Sequence, residues 1–179
     1  FITIDNDKLI ALDLGDAYPR SVVLIKYNDS LTDGKFTASN GYCSVIDMLK
    51  IPGKTGDNYT GVTIGGLEAS KNNYIVAISS IDQKNKSTTR DVVLLITGKS
   101  DSSPVKQIRI TDYTKNQNGL SASKPYLVKL PDGNYELLWE EFSEGNSHRV
   151  FHVKIDENGK MLTNITEFSN AKLSSDCQP

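Results

Sequence analysis

The apolar runs of this chain are short, rich in β-branched residues, and in several places apolar on both faces. Val22 to Tyr27 reads VVLIKY, Val92 to Thr97 reads VVLLIT, and Tyr74 to Ile81 reads YIVAISSI. Successive residues of a strand face opposite sides, so these segments need cover on both. None carries the 3.6-residue periodicity that a helix sustains over about 11 residues. Further strand-like runs are Lys8–Leu14 (KLIALDL), Tyr126–Leu130, Tyr135–Phe142 (YELLWEEF) and Val150–Ile155. The one helical candidate, Ser44–Leu49, ends before the breaker Pro52-Gly53 and suits a short strand equally well.

Turn chemistry separates the runs. Pro131-Asp132-Gly133-Asn134 and Asp156-Glu157-Asn158-Gly159 supply local side-chain acceptors and a glycine that tolerates positive φ. Asp5-Asn6-Asp7 and Lys71-Asn72-Asn73 are the earlier counterparts, and Ser30–Thr37 reads as one more hairpin turn. Placing Leu9, Tyr74 and Tyr135 in register aligns ITIDNDKLIALDL, LEASKNNYIVAIS and VKLPDGNYELLWE, at spacings of 65 and 61 residues. Each is strand, turn, strand. A third strand follows at Val22, Val92 and Val150. A weaker fourth is expected at Lys35–Ser39, Val105–Tyr113 and Met161–Phe168.

The expected fold is therefore all-β, with four antiparallel strands per unit. The units are 1–60, with a long insertion at 41–61, then 61–118, then 119–179 with the start of a further repeat. A β-sandwich is the alternative, but it leaves one face of each sheet wet and should alternate more cleanly. The hairpin segments, with KPYLVKLPDGNYELLWEEF and HRVFHVKIDENGK, resemble β-propeller repeats of secreted or cell-surface bacterial proteins. That resemblance implies propeller-like blades. Closed propellers hold about 4–8 blades, so three imply an incomplete ring, completed by the rest of a parent protein or by self-association. The chain opens at Phe1 without a signal-peptide pattern and stops at Pro179, as expected of a segment of a longer protein.

Composition narrows function. Lys+Arg 20 against Asp+Glu 22 gives net charge −2, which does not suit a nucleic-acid partner. No apolar run approaches the ~18 residues of a transmembrane span. Two histidines and two cysteines offer little metal chemistry. His148 and His152 are four apart on a strand, too distant for one ion, and no metal or other cofactor is expected. Cys43 and Cys177 have no flanking motif, and whether they pair is open. The sequons at Asn28, Asn58, Asn85 and Asn164 are close to chance frequency.

Trp139-Glu140-Glu141 is the best small constellation. Trp139 and Glu141 share a strand face, an aromatic platform beside a carboxylate, and are the candidate ligand-binding residues, for carbohydrate or protein. Glu140 points the other way, so the two glutamates cannot act as a pair. No catalytic residues are assigned. The expected function is a non-catalytic interaction module of a larger bacterial surface or secreted protein. A fragment of a carbohydrate-active hydrolase or lyase and a purely architectural spacer are the alternatives.

Overall fold

The computed structural model describes residues 1–15, 20–32, 35–37, 43–52, 60–85, 87–116, 119–143 and 148–173. Among these residues, fourteen strands form three antiparallel sheets, and one four-residue helix lies between the second and third. Sheet A holds β1 (Ile2–Asp5), β2 (Lys8–Leu14), β3 (Arg20–Thr32), β4 (Lys35–Thr37) and β5 (Cys43–Ile51). Sheet B holds β6 (Val62–Ala69), β7 (Asn73–Ile81), β8 (Arg90–Gly98) and β9 (Val105–Arg109). Helix α1 (Tyr113–Asn116) leads to sheet C, which holds β10 (Ser121–Ala122), β11 (Tyr126–Lys129), β12 (Tyr135–Phe142), β13 (Arg149–Ile155) and β14 (Thr166–Glu167).

Each sheet is a four-position meander. In sheet C, β10 and β11 share one edge of β12 and together form the first position. In sheet A the fourth position is β5, which pairs along β3 from Arg20 to Tyr27. The expected fourth strand at Lys35–Ser39 instead forms β4, a short hairpin on the far end of β3. The segment weighed between helix and strand, and placed within an insertion, is thus a full sheet strand. Its alternating burial puts Ile46 and Met48 inward and Val45 and Asp47 outward, a period of two that the six residues taken alone did not distinguish from a helical face.

Sheet B lies between the other two. One core joins Ile10, Leu12, Val22, Leu24, Ile46 and Met48 of sheet A to Tyr74, Val76, Ile78, Val93 and Leu95 of sheet B. A second joins Ile75, Ala77, Val92, Leu94 and Ile96 of sheet B to Tyr135, Leu137, Trp139, Val153 and Ile155 of sheet C. Strands β7 and β8 are consequently buried along nearly their whole length, which accounts for sequences apolar on both faces.

The register repeats from sheet to sheet. One row across the backward face of sheet B is Leu67–Val76–Leu95, and its counterpart in sheet C is Leu127–Leu137–Val153. The corresponding row of sheet A is Ile2–Ala11–Ile25–Val45. Leu127, rather than Val128, is thus the counterpart of Leu67 and Ile2. The Leu130–Asn134 connection is one residue longer than its equivalents, with Gly133 at φ 83°, and this extra residue moves the first strand by one position. In sheet A the turn is the two-residue form, with Asn6 and Asp7 both at positive φ, the geometry of a type I′ hairpin.

First-to-second and third-to-fourth strand turns share one end of the molecule, and polar contacts tie neighbouring sheets there. Asp5 accepts from Lys99 Nζ at 2.5 Å and from Tyr74 Oη at 2.8 Å. Asn72 donates to Glu157 Oε1 at 2.8 Å, and Asn73 donates to the Glu157 carbonyl at 3.1 Å. In both cases the first turn of one sheet holds the third turn of the next.

First strands are packed tightly enough to require glycine. A Cβ on Gly65 would fall on the Pro125 carbonyl and ring, and one on Gly66 would meet Leu127 Cβ at 2.8 Å. Gly65→Ala is expected to cost about 1–3 kcal/mol through overpacking, measured by urea unfolding, because the opposing atoms are backbone and a proline ring. An unchanged midpoint would show that the two strands separate freely.

Candidate functional site

The opposite end of the sheets carries the second-to-third strand connections and the crossings between sheets. Two buried carboxylates sit there. Asp91 is fully buried at the start of β8. A lone acid in an apolar strand must be paired, and Asp91 is held by five donors. It is ion-paired to Arg109 and accepts from Thr111 Oγ1 at 2.9 Å, Tyr113 N at 2.6 Å, Thr114 N at 3.4 Å, and Thr114 Oγ1. The 109–114 segment, including the start of α1, is wrapped around this carboxylate.

Tyr113 carries the network to the second acid. Its hydroxyl accepts from Trp139 Nε1 at 3.2 Å. Burial, reinforced by the neighbouring Glu141 carboxylate, pushes the phenol well above its ordinary range. Glu141 is 6 % exposed and ion-paired to Arg149. Arg149 is half-exposed, extends over the Phe151 ring, and reaches Glu167 at 3.6 Å.

Trp139 and Glu141 lie on the same face of β12, as the strand period requires, and both point toward sheet B. Trp139 is fully buried and stacked on Phe151 with ring centroids 6.0 Å apart. Of this constellation, Arg149 is the side chain that reaches solvent. Glu140 faces outward, where it bonds His148 at 3.3 Å and accepts from the Leu173 amide at 3.0 Å. His152 pairs with Glu136 at 2.6 Å. Each histidine thus has its own glutamate. Among the described residues no group of three His, Cys, Asp or Glu could hold a metal. Cys43 is an exposed free thiol, while Cys177 lies outside the described residues. Asn85 and Asn164 are exposed, whereas Asn58 and the side chain of Asn28 lie outside the described residues.

A cavity of about 510 Å³ opens beside this network, lined by Asp82, Asn85, Ser87, Thr88, Thr89, Thr114, Lys115 and Gly119. Its lining side chains are hydroxyls, one amide, the Asp82 carboxylate and the Lys115 ammonium, with apolar surface making up nearly half of the wall. Thr114 belongs to both, linking the cavity to Asp91.

A diagonal polar pair between third and fourth strands recurs in all three sheets. Ser21 donates to Asp47 at 2.8 Å, Asp91 pairs with Arg109, and Arg149 pairs with Glu167. The positions are equivalent, since Asp47, Arg109 and Glu167 each lie opposite the residue two after Ser21, Asp91 and Arg149. Sequence alignment of the first two strands does not reach these positions. The isolated acid in RDVVLLIT was the available signal for Asp91.

Glu68, on β6, is half-buried, and burial raises its pKa despite nearby Lys129. A raised carboxylate binds its proton more tightly in the folded state. Stability therefore falls as pH rises through the folded value, and the cost is complete above it. Glu68→Gln should raise the thermal midpoint at pH 7, and the gain should disappear below the ordinary value of 4.5. An equal gain at both pH values would assign the effect to packing.

No family model, curated protein or solved structure matches this chain. No helix among the described residues is long and apolar enough to cross a membrane.

Proposed function

We propose that the chain is a non-catalytic interaction module, a run of propeller-type blades in a larger secreted or cell-surface bacterial protein, joined to its partner across the open face of sheet A. One observation carries this reading. The positions Ile2–Ala11–Ile25 occupy the register that is buried in sheets B and C, yet Ile2 is 69 % exposed, and Val45 at the end of the same row is 56 % exposed. Exposed apolar patches of this kind mark interaction surfaces. The stacking of sheet B between two neighbours, with first strands adjacent and the same turn-to-turn contacts at both junctions, supports the blade reading. The non-catalytic reading is supported by the loop-end acids, since Asp91 and Glu141 are both committed to arginines.

Native mass spectrometry of the protein isolated undenatured from its source tests this. A species heavier than 19.7 kDa is the expected result. A 19.7 kDa species alone would overturn the reading.

A further inference from the structure

We infer that the rim edge of sheet B is a docking site for an extended, carboxylate-bearing segment of a partner polypeptide, which adds a fifth strand beside β9. The site lies apart from the open face of sheet A, and the contact proposed there stands or falls without it.

The main chain points to a strand as occupant. β9 is the last strand of sheet B, so one side of its backbone has no strand partner. Ile110 N donates to the Val92 carbonyl at 2.9 Å. Val93 lies opposite Arg109, Leu95 opposite Gln107 and Thr97 opposite Val105. Hydrogen-bonded and non-hydrogen-bonded pairs alternate along an antiparallel ladder. Lys106, Ile108 and Ile110 therefore bond back to β8, while Val105, Gln107 and Arg109 turn their N–H and C=O groups outward. Among the described residues these outward groups have no partner. Sheet C closes its rim differently. There β14 has two residues, and the Leu162 and Phe168 amides return to β13 carbonyls.

A cavity lies on each side of the β9 edge. The one toward sheet C, about 530 Å³, has Ile108, Ile110 and Met161 in its wall beside Lys106 and Lys160. The one toward sheet A, about 440 Å³, has Leu49, Pro52 and Ile81 beside Lys50 and Lys84. Successive side chains of an added strand point to opposite faces, so they enter the two cavities in turn. Main-chain bonds then supply affinity and the alternate pockets supply selection, which is how strand addition works.

Charge gives the occupant its sign. Asp82 and Asp156 are the carboxylates in the cavity walls, and both are closed into their own turns. Asp82 accepts from the Lys84 and Asn85 amides, and Asp156 from the Asn158 and Lys160 amides. Lys50 and Arg109 are already paired, with Asp47 at 3.9 Å and with Asp91. Lys84, Lys106 and Lys160 are exposed and have no carboxylate partner among the described residues. Lys106 Nζ reaches the Asn158 carbonyl at 3.3 Å. Carboxylates on the incoming strand meet these three ammonium groups. A second copy's β9 would bring another Lys106 and Arg109 and no free carboxylate, so edge-to-edge pairing of two copies is disfavoured.

Fluorescence anisotropy with a labelled, end-blocked heptapeptide of alternating valine and glutamate tests this. A dissociation constant on the order of 100 µM is expected, since a single added strand rests on few main-chain bonds. Binding should weaken as salt is raised. The same peptide with lysine for glutamate should not bind. Gln107→Pro removes an outward N–H that the β8 ladder does not use, a change an edge strand tolerates, and should weaken binding about tenfold. Lys106→Glu with Lys160→Glu, at exposed positions, should weaken it by about the same factor, while Val45→Lys should leave it unchanged. In hydrogen exchange the peptide should slow the Gln107 and Arg109 amides. No binding up to about 1 mM, equal binding of the lysine peptide, or full binding by Gln107→Pro would overturn the inference. Slowed exchange elsewhere, on β1 and β5 for instance, would overturn this site while leaving the interaction-module reading intact.

Discussion

Trp139→Ala lowers stability by about 3–5 kcal/mol, the range for truncating a large buried aromatic. In a domain of this size each kcal/mol moves the thermal midpoint by about 2–4 °C, so a fall of roughly 10 °C or more is expected by circular dichroism. Trp139 is fully buried between sheets B and C, stacks on Phe151, and donates to Tyr113. Truncation opens a cavity that β-sheet backbones on both sides cannot close, and leaves the Tyr113 hydroxyl without its donor. Trp139→Phe keeps the stacking and should recover most of the loss. If alanine costs less than about 1 kcal/mol, far below that range, the two sheets are not packed as described.

Asp91→Ala comes second, at about 3 kcal/mol, because it removes a buried partner from a charge and several hydrogen-bond donors at once. Arg109, Thr111, Tyr113 and Thr114 all converge on this carboxylate. Removing it should also loosen the 109–114 segment, read as faster amide exchange at Tyr113. Replacing both partners, Asp91→Leu with Arg109→Met, should cost less than the sum of the single changes, since no charge is then left buried. Strictly additive losses would show that the pair is not coupled.

The strands themselves were legible. Runs such as VVLLIT state their own two-sided burial, and the Asp-Gly and Asn-Gly turns mark where the chain reverses. Two misplacements show the limits of the same reasoning. CSVIDMLKI alternates, but over so few residues that a helical face fits as well, and only its pairing along β3 decides. The first strand of the third unit was set one residue late, because a turn's length is not fixed by its composition.

The candidate site was legible only in part. Trp139 and Glu141 share a face because strands have a period of two, which needs no structure. That the face is turned inward, and that Tyr113 and Arg149 meet it, depends on residues distant in the chain. Local sequence by itself determined the all-β class and the side-chain alternation, since both follow from backbone sterics and nearest neighbours. Which sheet covers which, where Asp91 finds its five donors, and which aliphatic face is left open were decided only by tertiary structure. Those outcomes depend on contacts between segments some tens of residues apart, and burial belongs to the assembled stack rather than to any one strand.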